Sequence, residues 1–293
     1  MTISALSVGA LALGLAACGP GQGESSTEGG EAAEGTTLQR LQEAGTVTVG
    51  FAGEAPYSYE EGGELTGATV ELHRAVFAEL GIENVEGVLT DWSGLIPGLN
   101  AERFDAVSAG MSILPERCEQ AAFSNPEFVY TTGLLVPEGN PDGLSTMDDA
   151  VDTDLQIATM SGAIESSYAE SLGINALSVQ TPQDGYDAVT AGRADAFALT
   201  AISLNYMVDN TPDSGLEVTE SFVQEIDGVP QRGAGGTVFR QGDDALLAEY
   251  NRVLEEIVND EDRYLEIVGP FGFTAGERPD GSLTTEQLCA GEI

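Results

Sequence analysis

Basic residues are scarce in this chain, and all of those that occur are arginine. Its 293 residues include 10 arginines and no lysine, against 49 aspartates and glutamates, which gives a formal net charge of -39. A surface with this charge repels nucleic acid and anionic lipid headgroups, so we expect neither as a direct partner. At molar salt the Debye length falls to about 3 Å, and the self-repulsion is screened. The acid excess therefore indicates a salt-exposed organism; a GC-rich genome explains the missing lysine but not the acid excess.

Histidine and cysteine are also scarce, which argues against a metal centre. His73 is the only histidine, and the three cysteines, Cys18, Cys118 and Cys289, lack the close spacing of metal ligands. We therefore expect no metal and no cofactor. His73 falls within a helical pattern at 69–80 and is interpreted as a half-exposed structural residue.

An apolar run at 3–17 is shorter than the roughly 20 residues that a membrane-spanning helix needs. It ends in Leu-Ala-Ala-Cys at 15–18, which resembles the lipobox of bacterial lipoproteins. The resemblance implies that 1–18 is a signal segment cut before Cys18, whose lipid is the only attachment to a membrane. The usual positive charges before the apolar run are missing, and the alternative is a short buried helix. Segment 19–37, mostly Gly, Glu, Ser, Thr and Ala, predicts a disordered tether.

Beyond residue 37 the sequence alternates between strand and helix patterns. The helical patterns lie at 69–80, 164–172, 183–191, 243–258 and 263–268. Buried strand patterns lie at 46–51, 104–109, 155–160 and 194–199, and the strands at 128–136 and 233–239 suit crossings between lobes. The alternation predicts an α/β fold, and the length allows two lobes with separate cores.

The segment 92–117 carries the clearest candidate site. An apolar helix is followed by a turn, the strand at 104–109 and a Gly-Met-Ser loop that leads to Arg117. In an α/β protein this order places backbone amides, from Gly110 to Ser112, and one guanidinium at the carboxyl edge of a sheet, where ligands bind. A lone arginine is often only a surface cation, but its place after this loop favours a ligand clamp.

This order, W-x-x-L-I-P-x-L, then F-D-A, then G-M-S-I-x-P-E-R, resembles the signature of extracellular solute-binding proteins that serve ABC importers of polar amino acids and related compounds. The resemblance extends from 38 to 289. It implies a two-lobe periplasmic-binding-protein fold (type II), with a mixed sheet flanked by helices in each lobe and two hinge strands between them. The expected lobes are 38–132 with 236–293, and 133–235. It also implies that Arg117 grips a ligand carboxylate.

The same resemblance sets the partners and the location. It implies a monomer outside the cytoplasm, on the outer face of the plasma membrane or in the periplasm, which captures a small zwitterionic solute. The solute is passed to the transmembrane subunits of an ABC permease. No catalytic role is expected.

Glu54 and Tyr57 follow the first strand and are expected to face the ligand. A carboxylate there accepts N–H bonds from a cationic ligand, and the ring offers a π face. In amino-acid binders of the family an aspartate of the second lobe takes the ligand ammonium, and the matching position here is Thr200. The resemblance therefore implies that the acid has moved to Glu54 and that the ligand class has changed.

Several segments resemble the ectoine- and hydroxyectoine-binding branch of the family. They are G-F-A-G-E-A-P-Y, P-E-R-C-E-Q-A-A-F-S, A-L-T-A, and P-F-G-F-T followed by L-T-T-E-Q-L-C. Ectoine is a compact zwitterion with a ring amidinium and a carboxylate, which Glu54, Arg117 and the rings of Tyr57 and Trp92 would bind. Ser112 stands where that branch commonly has a third aromatic residue. Phe51 is a possible substitute, although strand alternation favours a core position for it.

The second lobe is expected to close the site. Backbone amides of Ser161, Gly162 and Ala163, at the start of a helix, would be aimed at the ligand carboxylate, and Thr200 would add a hydroxyl. Glu165, just inside this helix, is interpreted as an acid that complements the helix N-terminus rather than a ligand contact.

Cys118 and Cys289 remain once Cys18 carries a lipid. In an oxidising compartment a bond between them would close a long loop and stabilise the fold by about 2–5 kcal/mol. We expect this disulfide; the alternative is two unlinked apolar side chains.

Two other functions remain open on the same fold. The first is a receptor for a polar amino acid or a betaine. The second is a periplasmic dehydratase that acts on prephenate-like acids, with Glu54 or Glu165 as the general acid. Such a substrate is a dianion, and Arg117 is the one cation expected in the cleft, which disfavours the dehydratase.

Overall fold

Two β-sheets organise the computed structural model, which describes residues 35–292. The predictions for Cys18 and for residues 1–34 lie outside these residues. The elements of the first segment are α1 (Thr37–Ala44), β1 (Thr46–Phe51), β2 (Tyr59–Glu61), β3 (Glu64–Thr66), α2 (Ala68–Glu79), β4 (Asn84–Leu89), α3 (Leu95–Asn100), β5 (Ala106–Ser112), α4 (Pro115–Cys118), β6 (Ala122–Phe123) and β7 (Phe128–Tyr130).

The middle segment builds the second sheet, and the last segment returns to the first. The middle elements are β8 (Thr132–Pro137), β9 (Ile157–Met160), α5 (Ile164–Ser171), β10 (Leu177–Val179), α6 (Pro182–Thr190), β11 (Ala196–Thr200), α7 (Ala201–Asp209), β12 (Leu216–Val218), β13 (Glu225–Ile226) and β14 (Val229–Pro230). The last elements are β15 (Gly233–Phe239), α8 (Asp244–Asn259), α9 (Glu261–Val268) and α10 (Thr285–Ala290). Every helix between residues 35 and 292 is too short or too polar to span a bilayer.

Both sheets are mixed. The first has the order β4-β1-β5-β15-β6, with β7 also paired to β15. In it β1 runs parallel to β4 and β5, whereas β15 runs antiparallel to β5. The second has the order β10-β9-β11-β8-β12, parallel on one side and antiparallel at β8. Two such lobes form the type II periplasmic-binding fold that the sequence predicts.

The chain crosses between the sheets at different places from those expected. The pattern at 128–136 predicts one strand, but β7 ends at Tyr130 in the first sheet and β8 begins at Thr132 in the second. The return lies between Val218 and Gly233, because β15 belongs to the first sheet along its whole length. The expected boundary between 235 and 236 therefore falls inside β15.

Two local predictions need correction as well. The tether was expected to reach residue 37, but Thr36 caps α1 by accepting a hydrogen bond from the backbone N–H of Gln39, and the helix begins at Thr37. The expected Gly-Met-Ser loop is part of β5, because Met111 and Ser112 still pair with β15.

His73 is wholly buried, not half-exposed as the sequence predicts. It shares one face of α2 with Thr69, Leu72 and Val76, and that face packs on the first sheet. Its Nε2 contacts the hydroxyl of Thr237, and burial lowers the pKa of the imidazole to about 3. The single histidine is therefore a neutral core residue.

A disulfide joins Cys118, at the end of α4, to Cys289 in α10, with 5.6 Å between their Cα atoms. It closes a loop of 171 residues. The bond fixes the C-terminal helix beside the segment that carries Arg117.

Candidate ligand-binding site

A small cavity of about 20 Å³ lies between the two lobes in this conformation. Its first-lobe wall includes an acid, three aromatic rings and two small residues: Glu54, Tyr57, Trp92, Tyr130, Gly110 and Ser112. Its second-lobe wall includes Ala163, Glu165 and Thr200. Seven of the ten expected ligand contacts therefore meet at one cavity, and the other three, Arg117, Ser161 and Gly162, lie outside its wall.

Glu54 connects the two lobes through its carboxylate. It follows β1 and is 3% exposed. The hydroxyl of Ser203 donates to Glu54 Oε1 at 2.7 Å, and that of Thr200 lies 3.5 Å from the same oxygen. Burial raises the pKa of Glu54 to about 7, although both hydrogen bonds favour the ionised form. This acid is thus poised to change its charge near neutral pH.

Tyr57 is held in place by Gly110. Gly110 has φ +56°, and a Cβ there would lie 2.4 Å from Tyr57 Cδ1, so only glycine suits both the backbone and the ring. The ring makes T-shaped contacts with the rings of Phe128 and Phe273. The buried hydroxyl of Tyr57 has no hydrogen-bond partner among the described residues.

Arg117 spans the cleft beside the cavity. Its Nη1 donates to the carbonyl of Ser112 at 3.0 Å and its Nη2 to the carbonyl of Gly162, in the other lobe, at 2.8 Å. Trp92 Nε1 donates to the same Gly162 carbonyl at 3.1 Å, and the guanidinium lies 5.8 Å from the centre of the Trp92 ring. Burial lowers the pKa of Arg117. In this conformation each Nη atom, expected to hold a ligand carboxylate, donates to a backbone carbonyl.

Tyr130 is an aromatic residue of the cavity that the sequence analysis missed. Its hydroxyl donates to Ser112 Oγ. Its ring lies against Gly233, where a Cβ would come within 2.4 Å of Tyr130 Cε2. Tyr130 thus stands beside the small Ser112, whereas Phe51, the substitute considered for a third aromatic residue, is in the core. The glycines in the sequence of β15 could have indicated that an aromatic ring packs on that strand.

Two of the three second-lobe amides expected at the ligand are already paired. The N–H of Ser161 bonds to Val179 O at 2.9 Å, and that of Ala163 bonds to Met160 O at 3.0 Å. The start of α5 therefore presents the Gly162 carbonyl to Arg117 rather than a set of free amides.

Glu165 is a further residue of the cavity wall, and Ser203 is a hydrogen-bond partner of Glu54 that the sequence did not reveal. Glu165 was interpreted as an acid of the helix end, but it is 1% exposed and lines the cavity. Burial raises its pKa to about 8, with a smaller increase from the charge of Glu54. Ser203 lies one turn after Thr200 in α7, a spacing that was visible in the sequence.

Two mixed-sheet lobes, two crossings between them and a buried polar cavity at their junction define a type II periplasmic-binding protein. The sequence matches the model of the bacterial extracellular solute-binding proteins, family 3, over residues 47–268. The chain belongs to this family, whose members bind small solutes for ABC importers.

Individual relatives support the assignment. The chain is 33% identical over 264 residues to a probable amino-acid ABC transporter periplasmic-binding protein, y4tE of Sinorhizobium fredii, covering 87% of this chain and 86% of that protein. The structure of EhuB in complex with hydroxyectoine matches with a TM-score of 0.77 at 30% identity, over 86% of this chain and 97% of that one. The ancestral amino acid-binding protein AncCDT-1, a precursor of cyclohexadienyl dehydratase, matches with a TM-score of 0.71 at 27% identity, over 80% and 99%.

Proposed function

We propose that this protein captures ectoine or hydroxyectoine between its lobes and delivers it to an ABC permease. The observation that carries the proposal is a small cavity in which a buried carboxyl group, Glu54, is accompanied by three aromatic rings. Aromatic faces and a carboxylate suit a delocalised cation, and each desolvated cation–π contact adds about 2 kcal/mol. The hydroxyectoine complex of EhuB supports this ligand class.

Arg117 would hold the ligand carboxylate once the lobes separate. Opening the cleft breaks its bond to Gly162 in the second lobe, while the bond to Ser112, in its own lobe, keeps the side chain in place. A carboxylate then replaces a neutral carbonyl at Nη2. Charge-assisted hydrogen bonds are about twice as strong as neutral ones, so this exchange favours the liganded state.

The cationic end would be bound at Glu54. In the present conformation the Ser203 hydroxyl donates to this carboxylate from the second lobe, and the Thr200 hydroxyl donates to Ser203 Oγ at 3.0 Å. Ligand N–H groups carrying positive charge are stronger donors than these hydroxyls. The rings of Tyr57, Trp92 and Tyr130 would enclose the amidinium.

A polar amino acid is the alternative ligand. Ser112 matches the ordinary amino-acid binders of the family, and y4tE and AncCDT-1 are described as amino-acid-binding proteins. The acid at Glu54 and the hydroxyl at Thr200 support the ectoine proposal instead, because amino-acid binders place an aspartate at the latter position.

We further propose a monomer anchored by lipid at Cys18 outside the cytoplasm, serving osmoprotection. The net charge of -39 supports a salt-exposed setting. Binding occurs without turnover, so solute recovered from the denatured complex should be chemically unchanged.

Isothermal titration calorimetry tests the ligand directly. We expect ectoine or hydroxyectoine to bind in the micromolar range or tighter, which corresponds to about -8 kcal/mol or more. L-glutamine, L-arginine and glycine betaine serve as competitors. Tighter binding of any of these three would overturn the ectoine assignment.

A further inference from the structure

Glu165 is a buried acid whose surroundings do not satisfy its hydrogen-bonding capacity. It lies in the first turn of α5, is 1% exposed and lines the cavity between the lobes. Its Oε1 has no hydrogen-bond partner within residues 35–292. A carboxylate accepts up to about four hydrogen bonds, and leaving a buried oxygen unpaired is costly. The fold therefore maintains an acceptor in the cavity that it does not itself use.

The charges around Glu165 make its carboxyl group unlike an ordinary helix-end acid. Burial and the nearby charge of Glu54 raise its pKa to about 8, while its own backbone N–H and Arg117 act in the opposite direction. The titratable or charged groups that influence it or are influenced by it are Glu54, Tyr57, Arg117, Tyr130 and Tyr168. The cavity is thus lined by two acids and has one guanidinium beside it.

We propose that Glu165 is a second ligand-contacting carboxyl group, which receives N–H groups of the ligand's cationic end opposite Glu54. This deepens the proposed function and rests on it. Glu54 comes from the first lobe and Glu165 from the second, so a cation between them bridges the lobes. A cation with N–H groups that point in two directions, such as an amidinium, fits this pair better than a methylated ammonium, which has no N–H groups.

The pair also couples ligand binding to protons. Near pH 7 the unliganded cavity holds protonated carboxyl groups, because both acids titrate at or above that pH. A bound cation stabilises the ionised forms, so binding releases protons to the solvent. The number released should fall when either acid is replaced by its amide.

Calorimetry in buffers of different ionisation enthalpy measures both affinity and proton release. The probes are ectoine, L-arginine and L-glutamine at pH 7. We expect Glu165→Gln to lower the affinity for whichever probe the wild type binds by about ten- to hundred-fold. The number of protons released on binding should also fall. Glu170→Gln is the matched control, since Glu170 is an exposed acid of the same helix. Glu165→Asp keeps the carboxyl group but shortens the side chain by one methylene. This variant should bind more weakly but still release protons on binding.

The outcomes separate this inference from the proposed function. If the wild-type protein binds L-arginine or L-glutamine but not ectoine, the proposed ligand is wrong, and Glu165→Gln tests the second carboxyl group with the probe that binds. If both Glu165 variants bind and release protons like the wild type, Glu165 is not a ligand contact and the inference is wrong.

Discussion

Replacing Glu54 by glutamine should stabilise the unliganded protein at alkaline pH while destroying much of its affinity. The folded-state pKa of about 7 exceeds the ordinary value of 4.5, so the folded protein binds this proton more tightly than the unfolded chain does. The contribution of this group to the free energy of unfolding is therefore fully present below pH 4.5 and is lost as the pH rises through about 7. The amide carries no charge and avoids this loss.

The size of the effect follows from the shift. A rise in pKa from 4.5 to about 7 corresponds to about 3 kcal/mol at pH values above 7. For a protein of this length, that is an increase in melting temperature of roughly 6–12 °C for Glu54→Gln. Ligand binding should change in the opposite sense. Loss of one partner of a buried ion pair costs about 2–5 kcal/mol, or at least about 30-fold in affinity for ectoine.

Differential scanning fluorimetry at pH 5 and pH 8.5, with and without ectoine, measures both effects. Glu60→Gln is the control, because Glu60 is an exposed acid of β2 in the same lobe. The variant and the wild type should melt at similar temperatures at pH 5 and differ at pH 8.5. Equal melting temperatures of variant and wild type at pH 8.5 would refute the burial of Glu54. If ectoine raised the melting temperature of the variant as much as that of the wild type, Glu54 would not be a ligand contact.

Three further predictions concern other parts of the molecule. Arg117→Lys should weaken binding of carboxylate ligands by about ten-fold or more in calorimetry, because one ammonium cannot bond to Ser112 and a ligand in the planar geometry of a guanidinium; wild-type affinity would contradict the clamp. Cys289→Ser should lower the free energy of unfolding by about 2–5 kcal/mol in urea titrations, whereas an unchanged midpoint, or two alkylatable thiols in the wild type, would contradict the bond to Cys118. Raising NaCl from 0.1 to 1 M should raise the melting temperature, since the Debye length falls from about 10 to 3 Å around a net charge of -39; a lower value would show that self-repulsion is unimportant.

The sequence predicts the fold class because local patterns and the motifs at 92–117 carry it. Strand β1 matches its pattern to the residue, and the helices match within a few residues. The break at Thr131 was not visible, because the residues on both sides of it are β-formers and only the pairing partners differ. The place of β15 in the first sheet likewise depends on which strands it meets.

The cavity residues that lie at the end of a strand could be predicted from the sequence. Those whose position depends on tertiary packing could not. Glu54 and Thr200 each lie at or just after the end of a buried strand, which places them at the junction of the lobes. Glu165 looked like an ordinary first-turn acid, because its burial at the cavity between the lobes depends on tertiary packing. Tyr130 is brought beside Ser112 by packing on the glycines of β15, a long-range contact.

A crystal structure of the protein with ectoine would show the binding mode itself. We expect the solute in the cavity between the lobes, with its carboxylate on Arg117 in place of the Gly162 carbonyl and its ring nitrogens within hydrogen-bonding distance of Glu54 and Glu165. A solute bound elsewhere, or turned so that its carboxylate faces the two acids, would contradict it.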